Sequence, residues 1–118
     1  TNSGMIWKAM NSSAILNIKT LAAKYGCKVM VCEIGVRDTA SDLAVSTQCI
    51  TEFMSSVKSL SVCAGVFYWE PQVDGKWKPS IYEKSDRNWG AYSMGAFTSD
   101  GSTFSPTSIL SAFGGGDS

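Results

Sequence analysis

Histidine is absent from the 118 residues, and that one absence removes two large classes of chemistry. Ser-His-Asp and Cys-His catalysis both need an imidazole to move the proton, and zinc loses its commonest ligand. The four cysteines, Cys27, Cys32, Cys49 and Cys63, show no C-x-x-C spacing, which argues against a structural zinc site. Two of them fall inside expected buried strands, where a free thiol behaves as a small hydrophobe. Unpaired core thiols are the expectation, with a Cys27–Cys63 disulfide as the alternative. An excess of either charge is also missing: ten basic residues stand against ten acidic ones. With no basic run to neutralise phosphates, neither nucleic acid nor an anionic membrane surface is an expected partner. Long hydrophobic runs are lacking too, which leaves no membrane-spanning segment in the sequence pattern. No signal peptide is visible, and Thr1 is not an initiator methionine, so the expectation is a start that has been processed or cut.

What is present is a chain long enough for one small core. Residues 1 to 8 read as a loop. From about Met10, the apolar positions Ala14, Ile18, Leu21, Ala22 and Tyr25 recur at the spacing of one helical face. Asn11, Ser12 or Ser13 would supply the N-cap, Lys24 the basic last turn and Gly26 the left-handed residue after it. Lys28 to Glu33 then reads as a strand buried on both faces, since no polar residue interrupts it before the glutamate. After a loop holding Arg37 and Asp38, Ser41 or Asp42 caps a second helix with the stripe Leu43, Ile50, Phe53, Met54 and Val57, ending near Ser59. A second strand runs from about Val62 to Trp69. Helix, strand, helix, strand is the alternation of a parallel α/β sheet.

Beyond Pro71 the pattern changes. Residues 71 to 91 hold Gly75, Pro79, Trp77 and Trp89 without an apolar period, the mark of a long functional loop. Tyr92 to Phe97 reads as a short extended piece and Asp100-Gly101 as a turn. Ser105-Pro106 is expected to open a short helix through Phe113, with Gly114-Gly115-Gly116 ending it and residues 114 to 118 as a frayed tail. Two parallel strands with helices on one side cannot cover their own edges, so the pattern is that of a piece of a larger sheet.

Glu33 and Glu70 are the carboxylates at the strand ends, where parallel α/β enzymes keep their chemistry. Glu33 is either solvated or paired with Arg37, or it is catalytic. Two such carboxylates suggest a glycosidase pair, about 5 Å apart in retaining enzymes. Strand alternation argues against this pairing, because Trp69 and Glu70 cannot both face one pocket. If Trp69 faces inward, Glu70 turns away, with Pro71 holding Glu70 extended. A pocket tryptophan beside a carboxylate suits a sugar, although a tryptophan in an apolar run is more often core.

Tyr25-Gly26 after a helix, then Val29-Met30-Val31-Cys32-Glu33-Ile34-Gly35, then Gly65-Val66-Phe67-Tyr68-Trp69-Glu70-Pro71, then Trp89-Gly90 with Met94-Gly95-Ala96-Phe97, resembles the C-terminal part of glycoside hydrolase family 53, the arabinogalactan endo-β-1,4-galactanases. The resemblance covers residue 10 to about 113. It implies that residues 1–118 are the C-terminal portion of a (β/α)8 TIM barrel, incomplete alone, with Glu33 ending strand seven and Trp69 ending strand eight. Glu33 would then be the nucleophile of a retaining mechanism and Trp69 the floor of the subsite holding the attacked sugar. The clan's general acid/base is a glutamate following asparagine after strand four, and these residues contain no Asn-Glu pair. A whole barrel takes roughly 250 residues, so the resemblance puts strands one to six and the acid/base outside this chain. It implies an inactive isolated chain whose partners are β-1,4-galactan or arabinogalactan and either the missing part of the barrel or a second copy. It also implies a secreted protein, extracellular or periplasmic. Some family members carry calcium near the loops after strands seven and eight, where Asp38, Asp42 and Asp74 are the nearby oxygen donors. The loop after Glu33 lacks calcium-loop spacing, and no cofactor or metal is expected. The alternatives are a carbohydrate-binding or assembly module without hydrolysis, using Trp69, Trp77 and Trp89, and a related enzyme acting on another β-glycan.

Overall fold

A computed structural model describes residues 2–74 and 93–114. The order is helix α1 (Asn2–Tyr25), strand β1 (Val29–Ile34), helix α2 (Leu43–Lys58), strand β2 (Cys63–Tyr68), strands β3 (Phe97–Ser99) and β4 (Phe104–Pro106), a 3-10 turn (Ser108–Leu110) and the short helix α3 (Ser111–Gly114). Strands β1 and β2 pair in parallel, as the helix-strand alternation requires. Strands β3 and β4 form a separate antiparallel hairpin. Among the described residues, no helix is long and apolar enough to cross a membrane.

Helix α1 begins at Asn2, so the loop expected over residues 1 to 8 is corrected. No proline lies before Pro71 to stop the helix running back. Asn11 is not a cap: its side-chain amide donates to the Cys49 carbonyl at 3.1 Å and ties α1 to α2. The other end follows expectation. Gly26 has φ +61, and its N–H closes on the Ala22 carbonyl at 2.9 Å, the left-handed stop that glycine adopts without steric cost. Helix α2 starts after Asp42, whose carboxylate makes no capping bond to the helix and instead accepts from the Thr39 hydroxyl at 2.6 Å.

Helix α2 serves two apolar clusters from one stripe. Ile50 packs with Ala96, Ile109 and Ala112, joined by Ile34, Tyr68 and Phe113. Phe53 and Val57 pack with Ile18 of α1, joined by Val29, Val31, Cys63 and Val66 of the sheet. The sheet is therefore covered by helices on one face. The expectation that Lys28 to Glu33 is buried on both faces is corrected, because Met30, Cys32 and Glu33 of β1 are exposed, as are Ala64 and Phe67 of β2. All four cysteines are free, and Cys27 and Cys32 are exposed rather than core thiols.

After β2 the chain departs further from expectation. The extended piece begins at Phe97, and Ser105-Pro106 lies in β4 rather than at a helix start. Thr107 is the cap instead: its hydroxyl oxygen accepts from the Ile109 N–H at 3.3 Å and its hydroxyl proton goes to the Ala96 carbonyl at 2.7 Å. Asp100-Gly101 is a turn as expected, with Gly101 at φ +96. Gly114 closes α3, so the tail read as starting there is corrected at its first residue. Trp77, Trp89, Gly90, the remainder of the aromatic loop from Gly75, and residues 115 to 118 lie outside the described residues.

Candidate site at the strand ends

The geometry around Glu33 is set by a break in register. Val31 pairs with Val66, and the next pair is Ile34 with Tyr68. Strand β1 thus spends one more residue than β2 over this interval, a bulge at Cys32-Glu33. Without it, Glu33 would share the parity of Val29 and Val31, both packed against the helices, because side chains alternate along a strand. The extra residue moves Ile34 onto the helix-covered face and leaves Cys32 and Glu33 both exposed. A carboxylate on the helix-covered face would lie among Phe53, Val57 and Ile18, where an unpaired charge is costly.

Trp69 reaches the same place from β2. Tyr68 turns to the helix-covered cluster and sets its ring edge-on to Phe113, with centroids 5.9 Å apart. Phe67 and Trp69 on either side of it are 59% and 52% exposed. The Trp69 N–H donates to the Ile34 carbonyl at 2.9 Å, which sets Trp69 beside the strand end that carries Glu33. Glu33 and Trp69 therefore stand on the open face of the sheet, at the same end, on adjacent strands. Among the described residues, the Glu33 carboxylate has no hydrogen-bond or ion-pair partner, Arg37 included.

Glu70 does not join them. Pro71 was expected to hold it extended, and this is corrected: Glu70 has φ +48, a left-handed turn that ends the strand. Its side chain lines a separate hollow with Gln72, Val73 and Asp74. The separation of Glu70 from the Trp69 face, argued from alternation, therefore coincides with a positive-φ backbone at Glu70 that breaks the strand's alternation.

A knot of hydrogen bonds beneath the site was not visible from the sequence. The Tyr68 hydroxyl lies 2.9 Å from the Met94 carbonyl and 3.3 Å from both the N–H and the carbonyl of Val36. The Asp38 N–H donates to the Ser93 carbonyl, and the Asp38 carboxylate accepts from the Gly95 N–H, both at 2.9 Å. The Pro71 carbonyl accepts from Ala96 at 2.8 Å and from Phe97 at 3.1 Å. Residues 93–97 are thereby fastened to the loops following both strands. Gly95 sits at a close approach: an added Cβ would lie 3.2 Å from the Pro71 carbonyl oxygen and 3.3 Å from the Asp38 carboxylate, so these neighbours would have to give by a few tenths of an ångström. One signal in the sequence was available, since the apolar parity of Val29 and Val31 switches at Ile34 and Val36, as a bulge demands.

Of the three aspartates weighed as calcium donors, Asp38 and Asp42 have carboxylates engaged in these local bonds. Among the described residues, no group of three or more acidic or cysteine side chains gathers where a metal ion would sit. Comparison of the chain with protein-family models, with curated proteins and with solved structures gave no match in any of the three.

Proposed function

We propose that this chain is the C-terminal portion of a (β/α)8 barrel and supplies the nucleophile of a secreted, retaining endo-β-1,4-galactanase of the family 53 type, acting on β-1,4-galactan and arabinogalactan side chains of pectin. The observation that carries the reading is the shared position of Glu33 and Trp69, both on the open face at the same end of adjacent parallel strands. A carboxylate beside an exposed indole matches what a pyranose offers: an anomeric carbon to attack and an apolar ring face to stack. The one-sided cover of the sheet supports the barrel part of the reading, since parallel sheets are normally covered on both faces.

In this mechanism a Glu33 carboxylate oxygen attacks the anomeric carbon. The bond to the leaving sugar breaks with its electron pair on the glycosidic oxygen, which takes a proton from a general acid. Water then attacks the glycosyl ester from the same face the leaving group vacated, gives its proton to that acid's conjugate base, and releases Glu33 with net retention. The general acid is supplied from outside these 118 residues, as are the remaining strands, which would pair with the free edges of β1 and β2. Without the acid, rate falls by roughly 10²–10⁴-fold, so the isolated chain is inactive on this reading.

Glu33→Gln in the intact protein tests the assignment. Galactan hydrolysis is expected to fall by on the order of 10³-fold or more, with unfolding little changed because glutamine keeps the shape of the glutamate side chain. Activity within about ten-fold of wild type would remove Glu33 as nucleophile. An inverted anomeric product, read by proton NMR in the first minutes of reaction, would remove the retaining mechanism.

A further inference from the structure

The bulge that turns Glu33 outward needs something to keep it in register, because a strand end with an extra residue can slip back by one position. On one side the Val31–Val66 pair fixes it. On the other, Ile34 pairs with Tyr68, and the Tyr68 side chain reaches past the end of the sheet to take the Val36 N–H at 3.3 Å. A phenol carries one proton, and its nearest acceptor is the Met94 carbonyl at 2.9 Å. One hydroxyl therefore joins the chain just after Glu33 to residues 93–97, which are fastened to the loops following both strands. The ring is held by its edge contact with Phe113, so the hydroxyl position is set by the core.

We propose that Tyr68 is a positioning residue for Glu33: its hydroxyl holds the chain after the Cys32-Glu33 bulge and so keeps the carboxylate on the open face. The inference rests on the nucleophile reading of Glu33. Tyr68 lies on the opposite face from Trp69 and does not touch the sugar in this arrangement, so it affects turnover and leaves binding unchanged.

Tyr68→Phe in the intact protein keeps the ring and removes the hydroxyl's bonds, those to Val36 and Met94 among them. The expected result is a fall in kcat on galactan of about ten- to a hundred-fold, the scale of a misplaced reacting group, with KM within about two-fold. The decisive arm uses Glu33→Gly with added azide, which replaces the carboxylate by a diffusible nucleophile: the C–N bond forms at the anomeric carbon as the glycosidic C–O bond breaks. In that background Tyr68→Phe is expected to leave the azide-dependent rate unchanged, because no carboxylate remains to be positioned. An equal loss in both backgrounds would overturn the proposal and mark Tyr68 as merely structural, while azide rescue itself would still support Glu33 as nucleophile. An active Glu33→Gly enzyme without azide, or an intact protein inactive on galactan, would overturn the nucleophile reading and this inference with it. Gly95→Ala crowds the Asp38 side of the same knot and provides the second variant if Tyr68→Phe does not fold. It is expected to show the same kcat loss and the same insensitivity in the azide arm.

Discussion

The two faces of the β1–β2 sheet are made from the same short strands and have opposite fates. One face meets α1 and α2 and buries Val29, Val31, Ile34, Val66 and Tyr68 against Ile18, Ile50, Phe53 and Val57. The other presents Met30, Phe67 and Trp69 at 47%, 59% and 52% exposure. Composition does not distinguish them, since both are apolar for most of their length. The difference lies in the partner: helices pack on one face, and among the described residues the side chains of the other face stay exposed. It carries Glu33 at its end, whereas the covered face carries no charge. On the proposed reading, an apolar strand face that ends in a carboxylate and an indole is one wall of the sugar site, and the covered face keeps that wall in shape.

The largest effect that tests this contrast is a pair of truncations. Phe53 is 3% exposed, so Phe53→Ala removes a full ring from the core and is expected to cost about 3–5 kcal/mol in denaturant unfolding. Phe67→Ala distinguishes the two accounts of the open face. If further strands close a barrel over it, the loss in the intact protein is also about 3 kcal/mol. If the face stays open, the loss is at most about 0.5 kcal/mol. The second value would break the barrel reading while leaving the covered-face packing intact.

Much of the covered face was legible in the sequence. The stripe of α2, the stop at Gly26 and the parallel order follow from periodicity and from one left-handed glycine. The open face was not, because an apolar run gives no sign of which of its faces is packed, and Lys28 to Glu33 therefore read as buried on both sides. The bulge was hidden for a related reason: Val29, Val31, Ile34 and Val36 switch parity, but Met30 and Cys32 between them are apolar too. The hairpin was missed because Ser105-Pro106 resembles a helix start, while Thr107 two residues later makes the capping bond. At the site, alternation set Glu70 apart from Trp69. The fastening of residues 93–97 depends on backbone carbonyls of Pro71, Met94 and Ala96, which side-chain identity does not reveal.

Thiol chemistry sharpens the contrast by a smaller margin. Cys32 is exposed on the open face. Cys49 is half-buried between α2 and α1, where burial pushes its thiol up, the Asn11 hydrogen bond pulls it partly back, and the Glu52 charge adds to the rise. A raised thiol pKa means less thiolate near neutral pH and slower alkylation. In the 118-residue chain, iodoacetamide is expected to modify Cys32 ahead of Cys49, with the Cys49 rate rising at higher pH. In the intact protein the barrel reading buries Cys32 and slows its labelling. Unchanged Cys32 labelling in the intact protein would count against a covered face.

The smallest effect belongs to the hairpin and acts as a control for both faces. Asp100 accepts from the Ser102 and Thr103 N–H groups at 2.8 and 2.7 Å and from the Thr103 hydroxyl at 2.8 Å. The Thr103 and Ser102 backbone bonds hold its carboxyl down at about 2, below the ordinary 3.8. A carboxyl depressed on folding stabilises the fold above its unfolded pKa, and this contribution is lost as pH falls through the folded value. The window for Asp100 therefore runs from about pH 4 down to about pH 2. Every partner of this carboxylate lies within three residues of it, in a turn that Gly101 allows. Its NMR titration midpoint is accordingly expected to be the same in the 118-residue chain and in the intact protein, while labelling of Cys32 differs between them. Asp100→Ala is expected to remove the low midpoint and loosen the β3–β4 turn without altering the proposed galactan hydrolysis. A midpoint that moved between the two forms would mean that the hairpin also packs against the further strands of the proposed barrel. The contrast would then be between a covered half and an open half of the whole chain, not between two faces of one sheet.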